Sequence, residues 1–172
     1  LVVEQTRVGR LADAFKTAGL IRDRPTQADT LFAMGQVLLG NRKFTEALKL
    51  TDYIPFLGLR GQILADVAQW RGDAKGDPVA ASALLAQALQ PVSGKPVPER
   101  VEIALEKVLD TQIAVGDPKT AEALFARAND LIKTLPGALD RVRLLTLLAR
   151  AYARSEDPDR ANETIKAAQR IT

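Results

Sequence analysis

An Asp-Pro dipeptide recurs in this chain at an even interval of 40 residues. Its three copies are Asp77-Pro78, Asp117-Pro118 and Asp157-Pro158. Alanines follow each proline by three and by ten positions: Ala81 and Ala88, Ala121 and Ala128, Ala161 and Ala168. Self-similarity with a period of about 20–50 residues is typical of proteins built from one repeated supersecondary unit. The chain is therefore predicted to be an array of similar units.

Each Asp-Pro dipeptide has the chemistry of a helix start. Asp is a favoured N-cap because its carboxylate accepts a free backbone N–H of the first turn. Pro is tolerated at the first helical position, where a backbone N–H would have no intrahelical partner. The negative charge also suits the positive end of the helix dipole. The dipeptides therefore predict helices over about residues 78–91, 118–135 and 158–171.

A further helical pattern precedes each of these helices and ends near a turn. In the last unit, Leu145, Leu148 and Tyr152 share one helical face, and Gln112 interrupts the equivalent face one unit earlier. The unit is a helix, a tight turn and a second helix. Four hairpins are predicted, over residues 25–54, 56–91, 98–135 and 137–171.

The two remaining parts of the chain are the N-terminal residues 1–20 and the Pro-rich segment 91–98. Residues 4–18 are predicted to form one further helix, and 91–98 is predicted to be an ordered loop between hairpins. Ala121 and Ala128 are predicted to be buried where paired helices cross. The whole chain, residues 1–172, is then a single repeat domain.

Composition supports a helical array and excludes several kinds of chemistry. Aromatic residues make up only 5% of the chain, and small apolar residues allow helices to approach closely. The chain has no Cys and no His, which excludes disulfides, thiol chemistry and histidine bases. A net charge of +3 is too weak to argue for nucleic acid. No apolar run reaches the length of a membrane span.

A search for catalytic and cofactor motifs predicts no catalytic residue, no metal site and no cofactor. No nucleophile elbow and no phosphate-binding loop occurs. The nearest acidic loop contains Asp73 and Asp77, but Lys75 and the capping role of Asp77 argue against calcium. The cytoplasm and the periplasm are both compatible with the absence of Cys. Because the chain begins at Leu1, it is expected to be a processed product or a trimmed piece.

The first and last hairpins resemble the tetratricopeptide-repeat family. The first carries Leu31, Met34, Gly35, Phe44, Ala47 and Leu48 in the spacing of that repeat. The last carries Leu145, Leu148, Ala149, Tyr152, Ala161 and Ala168. Leu109 stands where a small residue is expected, and Ala68 and Ala81 are one residue too far apart, so related α-hairpin solenoids stay open. The resemblance implies an all-α, right-handed superhelix of about four hairpins plus the N-terminal helix.

In this family the first helix of each hairpin lines a groove that binds peptides or partner helices. The resemblance therefore implies a partner-binding set on the four first helices: Gln36, Asp66, Gln69, Glu106, Asp110, Arg143, Arg150 and Arg154. The middle of this groove is expected to be acidic and its C-terminal end basic. The Lys and Asn set with which some members clamp a peptide carboxylate is absent.

These features predict a non-enzymatic scaffold or adaptor whose partner is a protein or peptide, and neither nucleic acid nor a membrane. The alternative is the repeat region of a larger, exported assembly protein that mediates self-association. The last helix is charged outside its apolar stripe, so it is expected to cap the C-terminal end of the array. The N-terminal helix, with Leu11, Phe15 and Leu20, looks less like a cap, so the chain is expected to continue upstream or to self-associate there as a homo-oligomer.

Two further features have two interpretations each. Arginines recur about 16 residues before each turn, and they form either ion pairs or a ladder of ligand contacts: Arg24, Arg60, Arg100 and Arg141. Trp70, the only tryptophan, is either a core or rim residue between repeats or an exposed hot spot for a partner.

Overall fold

The computed structural model describes residues 1–90 and 101–171, and within those residues the regular structure is entirely helical. The segment 91–98 and Arg100 lie outside the described residues. In chain order the ten helices are α1 (Val2–Arg7), α2 (Leu11–Gly19), α3 (Arg24–Gly40), α4 (Phe44–Thr51), α5 (Leu57–Lys75), α6 (Pro78–Ala88), α7 (Val101–Val115), α8 (Pro118–Lys133), α9 (Ala138–Arg154) and α10 (Pro158–Gln169).

The three Asp-Pro dipeptides start helices, as predicted. The Asp77 carboxylate accepts from the Ala80 N–H at 3.0 Å, and the Asp157 carboxylate accepts from the Arg160 N–H at 3.1 Å. Asp117 accepts from the Lys119 N–H at 3.2 Å. Asp23 caps α3 in the same way through the Thr26 N–H, at 2.9 Å. The hydrogen bonds from Thr26 also lower the pKa of the Asp23 carboxyl.

The same three helices end two or three residues earlier than predicted. Beyond each end the backbone makes the tighter i→i−3 hydrogen bonds, such as Gln90 N–H to the Gln87 carbonyl and Ile171 N–H to the Ala168 carbonyl. Such bonds satisfy the last free carbonyls of a helix without extending it. The apolar pattern continues through these residues, so it could not mark the ends.

The prediction of one helix over residues 4–18 is wrong, because the chain forms two helices there, α1 and α2. Gly9 has a φ of 82°, in the left-handed region that side chains disfavour. The Gly9 N–H bonds to the Thr6 carbonyl at 3.1 Å, and the Arg10 N–H bonds to the Gln5 carbonyl at 2.8 Å. This pair of bonds is a Schellman motif, which terminates α1.

Helices α3–α4, α5–α6, α7–α8 and α9–α10 form four hairpins, and each hairpin packs on its neighbours in the chain. Within the described residues α3 does not contact α7, and α5 does not contact α9, so the hairpins form a linear stack. Helices α1 and α2 pack together and cover α3. The structure is therefore an all-α array of stacked hairpins.

The stack contains two apolar cores with α5 between them. The N-terminal core buries Met34, Leu38 and Leu50 completely, and Ile63 of α5 belongs to it. Leu64, one residue further along α5, belongs to the larger C-terminal core. Because α5 faces both cores, its apolar residues are not confined to one stripe, and its sequence lacks the one-sided pattern of an amphipathic helix.

Ala128 is fully buried, as predicted, whereas the prediction for Ala121 is wrong because this residue is only half-buried. The α7–α8 pair is also less closely packed than the α5–α6 and α9–α10 pairs. Leu109 lies in α7 where α5 has Ala68 and α9 has Ala149, but its size does not by itself explain the difference, because the α3–α4 pair has Gly35 at this position and is also less closely packed.

Trp70 is half-buried and stacks on Phe44 of the preceding hairpin, with ring centroids 4.1 Å apart and an interplanar angle of 15°. This contact settles its interpretation as a rim residue between repeats. The guanidinium of Arg71 and the ammonium of Lys75 lie 5.4 and 5.5 Å from the Trp70 ring centroid. Cations at this distance are attracted to the ring face.

Two of the recurring arginines, Arg60 and Arg141, bind backbone carbonyls near helix ends. Arg60 is buried, and its Nη1 donates to the carbonyls of Gln87, in the last turn of α6, and Gln90, just beyond it, at 3.3 and 3.1 Å. Arg141 donates to the Leu135 carbonyl at 3.3 Å, after the end of α8. Burial lowers the pKa of the Arg60 guanidinium, and the Asp52 carboxylate opposes that shift. Within the described residues, Arg60 and Arg141 therefore neither form ion pairs nor project as ligand contacts, which were the two predicted roles, but bind backbone carbonyls instead.

Candidate protein-binding surface

The eight predicted partner-binding residues lie on the first helices of the four hairpins. We call the exposed faces of α3, α5, α7 and α9 the first-helix surface. The exposed residues on it are Gln36, Glu106, Asp110, Arg143, Arg150 and Arg154, and the half-buried ones are Asp66 and Gln69.

Four of the eight residues line one cleft between α7 and α9, of about 160 Å³. Its walls are charged, and its lining is made of Glu106, Asp110, Arg150 and Arg154 together with Leu109, Leu147 and Ala151. Leu109 and Ala151 are buried, and Leu147 is half-buried, so the floor of this α7–α9 cleft is apolar. An apolar floor with a polar rim is the anatomy of a protein interface.

Ion pairs cross two of the three helix borders of the first-helix surface. The Lys107 Nζ lies 2.5 Å from the Asp66 carboxylate and joins α7 to α5. Arg154 pairs with the Asp110 carboxylate and joins α9 to α7. Each pair links residues of neighbouring hairpins, so the exposed faces of α5, α7 and α9 are contiguous.

These ion pairs change the charge pattern expected from the sequence. Asp66 and Asp110 were expected to make the middle of the surface acidic, but both carboxylates are neutralised by partners on the next helix. Within the described residues, Glu106, Arg143 and Arg150 make no ion pair. Glu102 on α7 and Asp140 on α9 also make no ion pair within the described residues, so α7 and α9 retain unpaired charges of both signs.

The other four predicted residues do not line the cleft: Gln36, Asp66, Gln69 and Arg143. Gln36 is on α3, which contacts no helix beyond α5 within the described part of the chain. Gln69 donates from Nε2 to the Asp73 carboxylate on its own helix, at 2.6 Å. The structure therefore brings together the predicted residues of the two C-terminal hairpins more closely than those of the two N-terminal hairpins.

A buried polar network behind the surface was not predicted as a unit. The Ser82 Oγ donates to Gln112 Oε1 at 2.9 Å and accepts from the Asp117 N–H at 2.8 Å. The Gln112 Nε2 donates to the Asp117 carbonyl at 2.9 Å. Ser82 and Gln112 are both buried. The only signal in the sequence was the polar interruption at Gln112, and the network explains it: it joins α6, α7 and the start of α8.

A second polar concavity lies between α8, α9 and α10 and contains Tyr152, Arg160 and Glu122. Arg160 forms ion pairs with Glu122 and with Asp157, whose carboxylate lies 3.5 Å from the Arg160 Nε. Burial raises the pKa of the Tyr152 phenol, and Arg160 opposes the shift. This concavity therefore offers neither an ionised phenolate nor an unpaired cation near neutral pH.

The described residues hold no group of three or more side chains arranged to bind a metal ion. None of the described helices combines the length and the apolar character that crossing a membrane requires. Comparison with known proteins finds no family model, no curated protein and no solved structure that matches this chain.

Proposed function

We propose that the chain is a non-enzymatic repeat module of the tetratricopeptide type, wound as a right-handed superhelix, that binds a peptide or partner helix on its first-helix surface. The observation that carries this proposal is the set of ion pairs that join α5 to α7 and α7 to α9. They make the exposed faces of α5, α7 and α9 one continuous surface, and α3 packs beside α5. A continuous surface built from stacked repeats can contact an elongated ligand along its length.

The α7–α9 cleft supports the proposal in a second way. Its side chains project from helices, which fix their positions better than loops do. Its apolar floor accepts a side chain of the ligand, and its charged rim determines which ligands approach productively. Because the described residues contain no His and no Cys, binding accounts for this arrangement of side chains better than catalysis does.

Site-specific photo-crosslinking tests the proposed surface. A photoreactive residue replaces Gln36 or Glu106 on the first-helix surface, and, as matched controls, Ala83 or Asn162, which are exposed on second helices. Each protein is irradiated in an extract of the cells that naturally contain it. We expect a discrete cross-linked polypeptide from the first-helix positions only. Equal cross-linking from both sets, or cross-linking from the controls alone, contradicts the proposal.

The alternative function, self-association of an exported assembly protein through the N-terminal end, rests on a separate observation. Leu20 and Tyr53 are 75% and 63% exposed. Tyr53 and the half-buried Phe15 line a concavity of about 440 Å³ between α2 and the first hairpin. Apolar side chains exposed together favour association.

Light scattering over a range of protein concentrations tests this alternative. We expect the alternative to show a concentration-dependent increase in mass that Leu20→Ser/Tyr53→Ser abolishes. The matched control is Val79→Ser, because Val79 is exposed on α6, away from this end. A constant monomer mass at all concentrations excludes self-association through this surface.

A further inference from the structure

We propose that the C-terminal hairpin, α9–α10, rocks as one body against α7–α8, so that the α7–α9 cleft and the concavity between α8, α9 and α10 open in alternation. We call the contact between these two hairpins the third junction. The inference concerns how the cleft changes width, so it does not depend on which ligand binds there. Its basis is the distribution of close packing, apolar contact and exposed ion pairs around the third junction.

The bodies on the two sides of the third junction are each held firmly. On one side, α9 and α10 form one of the most closely packed helix pairs of the array. On the other side, α7 packs closely on α5, and the buried network of Ser82, Gln112 and Asp117 joins α7 and the start of α8 to α6. Hydrogen bonds restrict the relative position of the helices that they join. Motion is therefore expected at the third junction itself.

The third junction is open on both of its sides. The α7–α9 cleft of about 160 Å³ lies between the first helices, and the concavity of about 430 Å³ lies on the side of the second helices, α8 and α10. The α7–α9 contact is also less close than the α5–α7 contact. Within the described residues no buried side-chain hydrogen bond joins α7 or α8 to α9 or α10. The junction therefore has room on both sides and lacks a buried directional constraint.

Apolar contact fills the middle of the third junction, between the two openings. The ring of Phe125 on α8 meets the ring of Tyr152 on α9 edge to face, with centroids 5.1 Å apart and an interplanar angle of 84°. Leu124 of α8 and Leu148 of α9 belong to the same buried core. A rotation about this central contact that moves α9 away from α7 moves α10 toward α8. Packed helices shift by about 1–2 Å in many conformational transitions.

One exposed ion pair spans each opening of the third junction. Arg154 on α9 pairs with Asp110 on α7 across the cleft, and Arg160 on α10 pairs with Glu122 on α8 across the concavity. Each pair favours the position in which its own opening is narrow. Exposed pairs add little to overall stability. Two such pairs on opposite sides of a fulcrum oppose one another, however, so the loss of either one shifts the balance between the two positions.

The two openings are coupled by this arrangement. Because the Arg154–Asp110 pair crosses the cleft, a ligand side chain that enters the cleft displaces this pair and favours the position with a wide cleft and a narrow concavity. A molecule that enters the concavity favours the opposite position. By linkage, occupation of either opening then weakens occupation of the other to the same extent.

Distances between pairs of spin labels, measured by pulsed electron paramagnetic resonance, test the inference. The chain has no Cys, so introduced cysteines are the only labelled residues. Labels at Gln36 and Thr146 report the α3–α9 distance, and labels at Ala83 and Asn162 report the α6–α10 distance. Labels at Gln36 and Ala114 report the α3–α7 distance as a control. All five positions are exposed. Neighbouring helices lie about 8–10 Å apart, so each pair spans a measurable distance.

Asp110→Asn and Glu122→Gln remove the matched carboxylates of the two ion pairs with little change in side-chain size. We expect Asp110→Asn to lengthen the α3–α9 distance by about 1–2 Å and to shorten the α6–α10 distance. Glu122→Gln should change both distances in the opposite direction. The α3–α7 distance should stay constant in both variants. Asp130→Asn, which breaks the pair with Lys133 inside α8, is the control variant and should change none of the three distances.

The inference is overturned if the two variants change the distances in the same direction, if neither variant changes them, or if Asp130→Asn changes them equally. A change in the α3–α7 distance as large as that in the α3–α9 distance also overturns it, because the motion would then lie at another junction. Denaturation midpoints verify that the labelled variants remain folded. None of these results affects the cross-linking experiment, which tests the proposed binding surface separately.

Discussion

Both seams on either side of α5 bury apolar side chains, but they differ in the contacts they add. At the first seam, between α3–α4 and α5, Gly35 lies against Ile63, and Trp70 stacks on Phe44. At the second seam, between α5–α6 and α7–α8, Ser82, Gln112 and Asp117 form a buried hydrogen-bonded network.

Across the first seam the described residues form no buried side-chain hydrogen bond, so its register depends on close packing of apolar side chains. Hydrogen bonds need narrow distances and angles, so the network adds a directional constraint at the second seam. The hydrogen-bonded seam is the one next to the α7–α9 cleft. The comparison suggests that directional contacts are used where the relative position of helices determines the geometry of a binding surface.

The largest effect is expected from Ile63→Ala at the first seam. Ile63 is completely buried beside Gly35, and truncation of such a side chain costs about 2–5 kcal/mol of the free energy of unfolding. Urea denaturation measures the loss. The control Val79→Ala, at a position 64% exposed, is expected to change stability by less than about 0.5 kcal/mol. A loss no larger than the control's would show that the first seam does not depend on apolar packing.

Removal of the network at the second seam is expected to cost somewhat less. Gln112→Ala leaves the Ser82 hydroxyl and the Asp117 carbonyl without these partners, at a cost of about 1–3 kcal/mol. Ser82→Ala removes the hydroxyl that bonds to Gln112. A double-mutant cycle of the two substitutions should give a coupling energy of about 0.5–3 kcal/mol. Gln62→Ala is the matched control, since the Gln62 side chain bonds within its own helix. Strict additivity of the Ser82 and Gln112 losses would contradict a cooperative network.

The glycines of the two seams are expected to respond differently to alanine. At Gly72 a Cβ would lie 2.3 Å from the Val115 Cβ and 2.9 Å from the Val115 carbonyl oxygen, and backbone cannot easily move away. At Gly35 the nearest atom is the Ile63 Cδ1, at 2.4 Å, which belongs to a flexible side chain. Gly72→Ala should therefore cost about 1–3 kcal/mol by overpacking.

Gly35→Ala should cost less than Gly72→Ala, because the Ile63 side chain can rotate and alanine favours the helix. Gly40→Ala is the control for this helix propensity, since a Cβ there meets nothing within 4 Å. It should gain up to about 1 kcal/mol. Thermal or urea denaturation ranks the three variants. A larger loss at Gly35 than at Gly72 would reverse the assignment of the more adaptable seam.

The smallest effect is expected from the exposed ion pair at the second seam. Lys107→Gln removes the partner of Asp66, and both side chains are about one third exposed, so the loss should be within about 1 kcal/mol. The loss should shrink further at high salt. Lys133→Gln, which breaks a pair within α8, is the control. A loss as large as that of Gln112→Ala would mean that the surface pair, rather than the buried network, fixes the register.

The sequence predicted the starts of helices better than their ends. The Asp77, Asp117 and Asp157 caps depend on residues within one helical turn, and a single sequence contains that information. The break at Gly9 is harder to predict, because a glycine inside an apolar pattern is also tolerated within a helix. The Schellman motif there also requires two backbone hydrogen bonds, and no side-chain pattern in the sequence indicates them.

The sequence predicted which residues lie on the candidate surface, but it did not predict which of their charges are neutralised by ion pairs. The family resemblance placed Glu106, Asp110, Arg150 and Arg154 on adjacent helices, and they share a cleft. It could not show that Asp66 and Asp110 are neutralised, because the spacing between helices of different hairpins is set by packing over distant residues. Such cross-helix pairs have no fixed separation in the sequence, in contrast to pairs within one helix.

The position of α5 between two cores has a consequence for how the molecule opens. Leu59 and Ile63 belong to one core and Leu64 and Ala68 to the other, so neither half can separate without exposing α5 to water. Terminal hairpins of a stack can detach locally at modest free energy, whereas a shared helix opens only with the whole molecule. The backbone amides of α5 should therefore exchange their hydrogens most slowly. Unfolding that begins at either end of the stack should therefore reach α5 last.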